Sequence, residues 1–251
     1  MESMETYRKF LKGHWWDERD KLETDQTKEI PPPPPQKPYP DDAALIDLVS
    51  PEHLQVGELS VREAIGRRES HRKFTDESLS LEDLSFLLWA TQGVRFFDEG
   101  GATIRRTVPS AGSRHPFETY LLVNRVAGLE PGLYRYLSLE HQLYFMYADA
   151  GSAQKVGQGC RGQAFIGRGA VVFIWTVIPY RSEWRYAVVA PKMIALDAGH
   201  LCQNLYLAAA AIGAGTCAIG AYHQETMDAF VGVDGKEEFV VYAAPVGKIG
   251  R

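Results

Sequence analysis

The stretch "LDAGHLCQNLYLAAAAIGAGTCAIGAY", residues 196–222, decides how the rest of the chain is read. Leu201, Leu205, Ala208, Ala209 and Ile212 recur at helical spacing along one side. Ala198 and Cys202 keep the other side small. A helix this apolar is buried on most of its faces, and the pattern extends it from about Ala190 to Ile212. Gly213 then serves as a C-cap, and a short strand follows near 216–221. Residues 201–222 carry no charge over a length that could cross a bilayer. Gln203 and Asn204 enter early, Gly213 and Gly215 break the middle, and no basic residue flanks the far end. The stretch therefore reads as a buried helix, a turn and a strand.

Strand patterns surround this helix: "TYLLVNR" at 119–125, "GLYRYL" at 132–137, "QLYFMYA" at 142–148, "AVVFIWTV" at 170–177 and "EFVVYAAPVG" at 238–247, with a helix near 224–231. Strands and helices mix without regular βαβ alternation, so the fold class is α+β. Upstream, Ser60 and Glu63 stand at capping-box spacing, and so do Ser80 and Asp83. Leu81, Leu84, Leu87 and Leu88 make an apolar stripe that Gly93 ends. Five prolines, 31–35, followed by "QKPYP" form a stiff spacer, open to reading as a ligand for an SH3-like partner or as a plain link. Residues 3–21 suggest a helix with Trp15 and Trp16 as anchors that must dock on the body or on a partner subunit. The expected division is an arm over 1–54, with the polyproline linker at 31–40, and a folded domain over 55–251 whose body starts near residue 55.

Totals narrow the function. A net charge of −5 without a long basic block disfavours nucleic acid. Cys160, Cys202 and Cys217 form no C-x-x-C pair, which fits a reducing compartment. The polar N-terminus lacks a signal-peptide core, so a cytoplasmic location is expected.

"RRTVPSAGSRHPFETYLLV", residues 105–123, offers Ser110, Ser113 and His115 as a hydrolase set, but no G-x-S-x-G elbow accompanies them. The seven histidines show no H-x-x-x-H pair for zinc. "GAG" at 213–215 follows a helix rather than a strand, so it is no dinucleotide fingerprint. The remaining constellation is basic. In "RRESHRKF", residues 67–74, Arg68, Ser70 and Arg72 alternate, as on one face of an extended segment, and suit a phosphate and a polar ring edge. A solvated charge run closing a helix is the plainer account.

Several ordered motifs together resemble the nitroreductase family of FMN enzymes. R-x-S-x-R-x-F after a capped helix, followed by "SLEDLSFLLWATQG", is similar to the family's opening. "RTVPSAGSRHPFETYLLVNRVAGLEPGLYRY" (106–136), the opening stretch and the terminal "VVYAAPVGK" resemble the subgroup that includes the azoline dehydrogenases of thiazole- and oxazole-containing peptide biosynthesis. The resemblance covers roughly residues 40–250. It implies a three-layer α+β sandwich with a mostly antiparallel sheet, an entwined homodimer, and FMN sites at the interface.

Carried over, Arg68, Ser70 and Arg72 would hold the FMN phosphate, ribityl chain and pyrimidine edge, with Glu69 contributing backbone. Pro109, Ser110, Ala111 and Ser113 would reach the same flavin from the other subunit. Ile219, Gly220 and Ala221 would face the ring, and Lys248 and Arg251 would add to the phosphate clamp. The implied activity is ping-pong transfer of electrons from NADH or NADPH to a small organic acceptor such as a nitroaromatic or quinone. Alternatives are dehydrogenation of a modified peptide, azoline to azole, and a non-catalytic flavin-binding module. The peptide dehydrogenases carry a Lys-Tyr pair where this chain has Arg185-Tyr186. Arginine keeps its proton near neutral pH, so a lysine-like base is lost. Tyr186 is the catalytic candidate, as proton donor or stacking surface, with a packed aromatic as the alternative. Arg106, Arg114 and His115 stay open: they shape the substrate side or pair with acids at the subunit interface.

Overall fold

The computed structural model describes residues 3–17, 21–98 and 104–250. After α1 (Met4–Leu11) and β1 (Leu45–Asp47) come α2 (Val61–Arg67) and α3 (Leu81–Gln92), then a hairpin of β2 (Val94–Phe97) and β3 (Ile104–Arg106). The body continues through β4 (Phe117–Val123), β5 (Gly132–Leu137), β6 (Gln142–Tyr147), α4 (Ser152–Gly159), β7 (Val171–Val177) and α5 (Tyr180–Tyr186). It ends with α6 (Ala190–Ala211), β8 (Ala214–Thr216), α7 (Gln224–Val231) and β9 (Phe239–Lys248).

Seven strands form one sheet in the order β1-β6-β5-β4-β7-β9-β8, and every strand pair in it is antiparallel. The central strands β4 and β7 are buried at all positions, because helices cover both faces. On one face Leu121, Val123, Phe173 and Val246 pack with Leu84 and Leu88 of α3 and Leu201 and Leu205 of α6. On the other, Tyr120, Leu122, Val172 and Ile174 pack with Val156 of α4 and Met227 and Phe230 of α7. Alternate residues of one strand thus feed opposite layers, as the strand period requires. The expected three-layer α+β arrangement is what the chain adopts. Among the described residues no helix is long and apolar enough to cross a membrane.

Both helix starts hold: Ser80 and Asp83 close a reciprocal capping box on α3, and at α2 the Ser60 Oγ accepts from the Glu63 N–H at 3.2 Å and donates to the Glu63 carboxylate at 2.7 Å. Three other expectations change. The arm helix stops at Leu11, where Lys12 turns extended, and a separate 3-10 turn spans His14–Trp16. The last strand pair begins earlier than 216: β8 is Ala214–Thr216, and beyond it only Ile219 bridges to Ala243. The sheet also takes in Leu45–Asp47, upstream of residue 55, paired with β6.

The proline-rich segment lies on the body as a strap. Its prolines lack N–H groups but keep their carbonyls. The Pro34 carbonyl accepts from Arg181 Nε at 2.9 Å, and the Pro35 carbonyl from Arg106 Nη2 at 3.3 Å. Arg135 Nη2 donates to the Lys37 and Pro38 carbonyls at 3.1 and 2.9 Å, and Trp184 Nε1 to Ile30 at 2.8 Å. Lys37 adds an ion pair to Glu238 at 2.6 Å. All three of these arginines are buried, so the strap supplies acceptors that the interior would otherwise lack.

Candidate flavin site

Helix α6 is the spine of the site. Near its end, Tyr206 gathers one group of candidates. Its hydroxyl and the Ser70 Oγ share a hydrogen bond of 2.9 Å, and the Ala218 N–H donates to it at 2.9 Å. The Arg68 guanidinium sits 5.5 Å from the centre of its ring. Chain direction explains the meeting. Arg68 caps α2 in an extended conformation, and Ser70 then bridges in parallel to Thr216, so residues 68–72 run beside β8. Gly215 is needed there, since a Cβ would stand 2.6 Å from the His71 side chain. Arg72 and Glu69 are exposed on the same run.

Ile219 is pinned to Ala243 by two backbone hydrogen bonds of 2.7 and 3.2 Å. Gly220 and Ala221 follow it, exposed, and neither N–H donates to a backbone carbonyl of a described residue. Gly220 lines a cavity of about 730 Å³ whose wall of Ala195, Ala198 and Gly199 comes from α6.

The second group sits at the other end of the spine. Asp197 accepts from the Ser110 hydroxyl at 2.6 Å and from the Ala111 N–H at 3.1 and 3.2 Å. Ser110 Oγ in turn accepts from the His115 N–H at 2.9 Å. Asp197 and Tyr206 are about 14 Å apart along an ideal helix. One chain therefore holds Arg68, Ser70 and 218–221 together and presents Pro109–Ser113 at a distance. Gly112, Ser113 and His115 all have φ between 46° and 56°. For the two non-glycine residues that is a strained conformation, of the kind that collects at ligand sites. A Cβ on Gly112 would meet the Tyr186 hydroxyl at 2.6 Å, so Tyr186 abuts this loop directly.

The remaining candidates fall differently. Lys248 donates to the Ile212 carbonyl at 3.0 Å and pairs with Asp83 at 3.1 Å, so its ammonium is engaged under the end of α6 rather than with Arg68. Arg251 lies outside the described residues. Arg106, Arg114 and His115, expected at a substrate face or an interface, are 7%, 5% and 3% exposed and belong to the interior beneath the loop. Ser110 and His115 do not form a nucleophile and base, because Ser110 donates to Asp197. Tyr206 and Asp197 are the contributors that motif reading missed. Their signal was present: Asp197 is the one formal charge between Met193 and His223.

His115 also makes a pH prediction. Burial, then the Arg106 charge, push its imidazole down to about 3. Unfolded, it would take up a proton near pH 6.5. Between those values only the unfolded chain binds that proton, so stability falls as pH falls. From pH 7 to 5 the loss through this residue is about 2 kcal/mol. Urea unfolding at both pH values checks it: His115→Asn should flatten the slope by that amount.

The sequence profile of the nitroreductase family matches residues 65–248. A nitroreductase-type protein of Methanocaldococcus jannaschii is 29% identical over 193 residues, 77% of this chain and 93% of its own. The trifolitoxin-processing protein TfxB of Rhizobium leguminosarum bv. trifolii is 33% identical over 121 residues, 45% of this chain but 31% of its own. A nitroreductase-type structure from Anabaena variabilis aligns with a TM-score of 0.71 at 27% identity, over 92% of this chain and 43% of that one. The NADPH:FMN oxidoreductase of Vibrio harveyi, solved with NAD+, shares the fold at a TM-score of 0.53 and 16% identity, over 76% of this chain and 69% of that one. With the profile spanning most of the chain and the same fold found in these structures, the chain belongs to the nitroreductase family.

Proposed function

We propose that the protein is an FMN-dependent oxidoreductase that passes electrons from NADH or NADPH to a small organic acceptor, working as a homodimer. One observation carries this reading: Tyr206 draws Arg68, Ser70 and the 218–221 segment onto one wall, while the same helix holds Pro109–Ser113 out at its other end. A second copy would bring the missing half to each wall. The donor set fits the cofactor. Two guanidinium groups and a hydroxyl suit a phosphate dianion and a ribityl chain. Gly220 and Ala221 offer exposed N–H groups beside a wall of small residues, which suits the edge and face of a flat ring.

When bound, FMN supplies the two-electron chemistry between reductant and acceptor. The chain's own residues bind and orient. Arg68, Ser70 and Arg72 would hold the FMN phosphate, ribityl chain and pyrimidine edge. Asp197 fixes Ser110 and Ala111 so that the 109–113 loop keeps its shape. Tyr186, against Gly112, stands where it can donate a proton to an acceptor.

Purified protein should be yellow and should bleach on adding NADH or NADPH. Each arginine makes a charge-assisted contact of about 1.5–3 kcal/mol. The double variant Arg68→Ala, Arg72→Ala should therefore bind FMN at least about 100-fold more weakly. Fluorescence titration of the apoprotein measures this. A wild-type protein that neither carries nor takes up FMN would refute the reading.

The likeness to TfxB favours a second reading, dehydrogenation of a modified peptide. Arg185 weighs against it, since a guanidinium cannot act as the base that a lysine would supply.

A further inference from the structure

The N-terminal arm builds a cavity that the flavin reading does not use. It measures about 240 Å³ and lies between Trp16, Thr24, Gln26 and Thr27 of the arm and Arg185 and Tyr186 of the body. Both ends of this outer wall are fastened. Lys192 Nζ donates to the Leu11 and Lys12 carbonyls at 2.7 and 3.3 Å. The Gln26 N–H donates to the Trp184 carbonyl at 2.9 Å, and the Tyr180 hydroxyl to Asp25 at 2.9 Å. Trp16 meets the Tyr186 ring edge-on, with centroids 6.1 Å apart. The cavity is therefore held in shape by hydrogen bonds rather than being a gap beneath a loose tail.

Its lining is selective. The volume lies below the range of about 300–1,000 Å³ typical of sites for drug-sized ligands, which leaves room for a single substituted ring. Trp16 and Tyr186, with Leu22 and Val189, supply the apolar surface, and threonine hydroxyls and an amide supply hydrogen-bonding groups. Among the described residues Arg185 is the one charged residue in the lining, and none of their carboxylates forms an ion pair with it. Behind it stand further cations: after burial, repulsion from Arg185 and then Arg181 lowers the Arg114 pKa. Tyr186 connects this cavity to the 109–113 loop, since its hydroxyl abuts Gly112.

We propose that this cavity recognises the electron acceptor, and that the acceptor is a single-ring aromatic compound bearing a carboxylate or similar anionic group. The acceptor role rests on the flavin reading; the anion-binding pocket itself does not. Isothermal titration of the full-length, flavin-loaded protein tests it, with 4-nitrobenzoate and the uncharged 4-nitrobenzyl alcohol as probes. The carboxylate should bind at least about 10-fold more tightly. Trp16→Ala should weaken both probes, Arg185→Ala should erase the preference, and Arg185→Lys should restore most of it. Equal affinity for the two probes, or no effect of Trp16→Ala on a folded protein, overturns the proposal. Flavin absorbance is read on the same samples. A colourless protein that still prefers 4-nitrobenzoate through Arg185 would keep the pocket and overturn the acceptor role with the flavin reading. A yellow protein without the preference would overturn the pocket alone.

Discussion

Deleting residues 1–40 should give a chain that does not fold, while deleting residues 1–17 should give one that does. The longer deletion removes the carbonyls of Ile30, Pro34, Pro35, Lys37 and Pro38, and with them the acceptors for Trp184, Arg181, Arg106 and Arg135. It also removes the Lys37 ammonium from Glu238, which Tyr120 and Thr176 hold in the sheet. Each buried donor left without a partner costs about 1–3 kcal/mol. The five lost bonds together come to about 5–15 kcal/mol, as much as the whole stability of a typical domain. Among the described residues the shorter deletion removes exposed side chains, since α1 has no buried residue and Trp16, the one that meets Tyr186, is itself exposed. Circular dichroism of the two purified products separates the outcomes; a cooperative melt from the longer deletion would show the strap to be dispensable.

The second large effect lies beneath the strap. Arg181 and Glu118 pair at 2.6 Å, 2% and 4% exposed, and Glu118 Oε1 also accepts from the Lys37 N–H at 2.8 Å. Glu118→Gln leaves Arg181 charged in the interior, with Arg106 close by and its own pKa already lowered to about 10 by burial. Breaking such a pair from one side costs about 3–5 kcal/mol. For a chain of this size that is a fall in Tm on the order of 10 °C. Adding Arg181→Met should recover part of it, because the unpaired charge is then gone. Thermal melts of the single and double variants test both statements.

Much of this architecture was legible in the chain itself. The runs that became β4, β5, β6, β7 and β9 are long and apolar, and α6 announces itself by its spacing. The elements that escaped are those whose local pattern is weak. In α4, "SAQKVGQG" carries two glycines and few apolar residues. In α5, "YRSEWRY" reads as polar, yet it buries Arg181, which the strap and Glu118 meet, and Trp184, which the strap meets. Arg106 belongs to the same class: its buried guanidinium is met by Gln92 and by a carbonyl 71 positions upstream. Burial of a charge is decided by distant partners, and period alone cannot report it. The site shows the same division. The alternation of Arg68, Ser70 and Arg72 was visible, while Tyr206 and Asp197 were hidden as polar tips on a helix read for its apolar face.

The strap has one more consequence, for how the segment can vary. Four of its grips on the arginines are made by main-chain oxygens, which every amino acid possesses. Changing Pro34 or Pro35 to alanine removes no acceptor. It only gives the unfolded chain more freedom, worth about 0.4–1 kcal/mol for each proline. The segment can therefore drift in identity while keeping its trace, whereas the arginines beneath it cannot. Tolerance to substitution and importance to the fold part company here: the residues most easily exchanged belong to the stretch least easily removed.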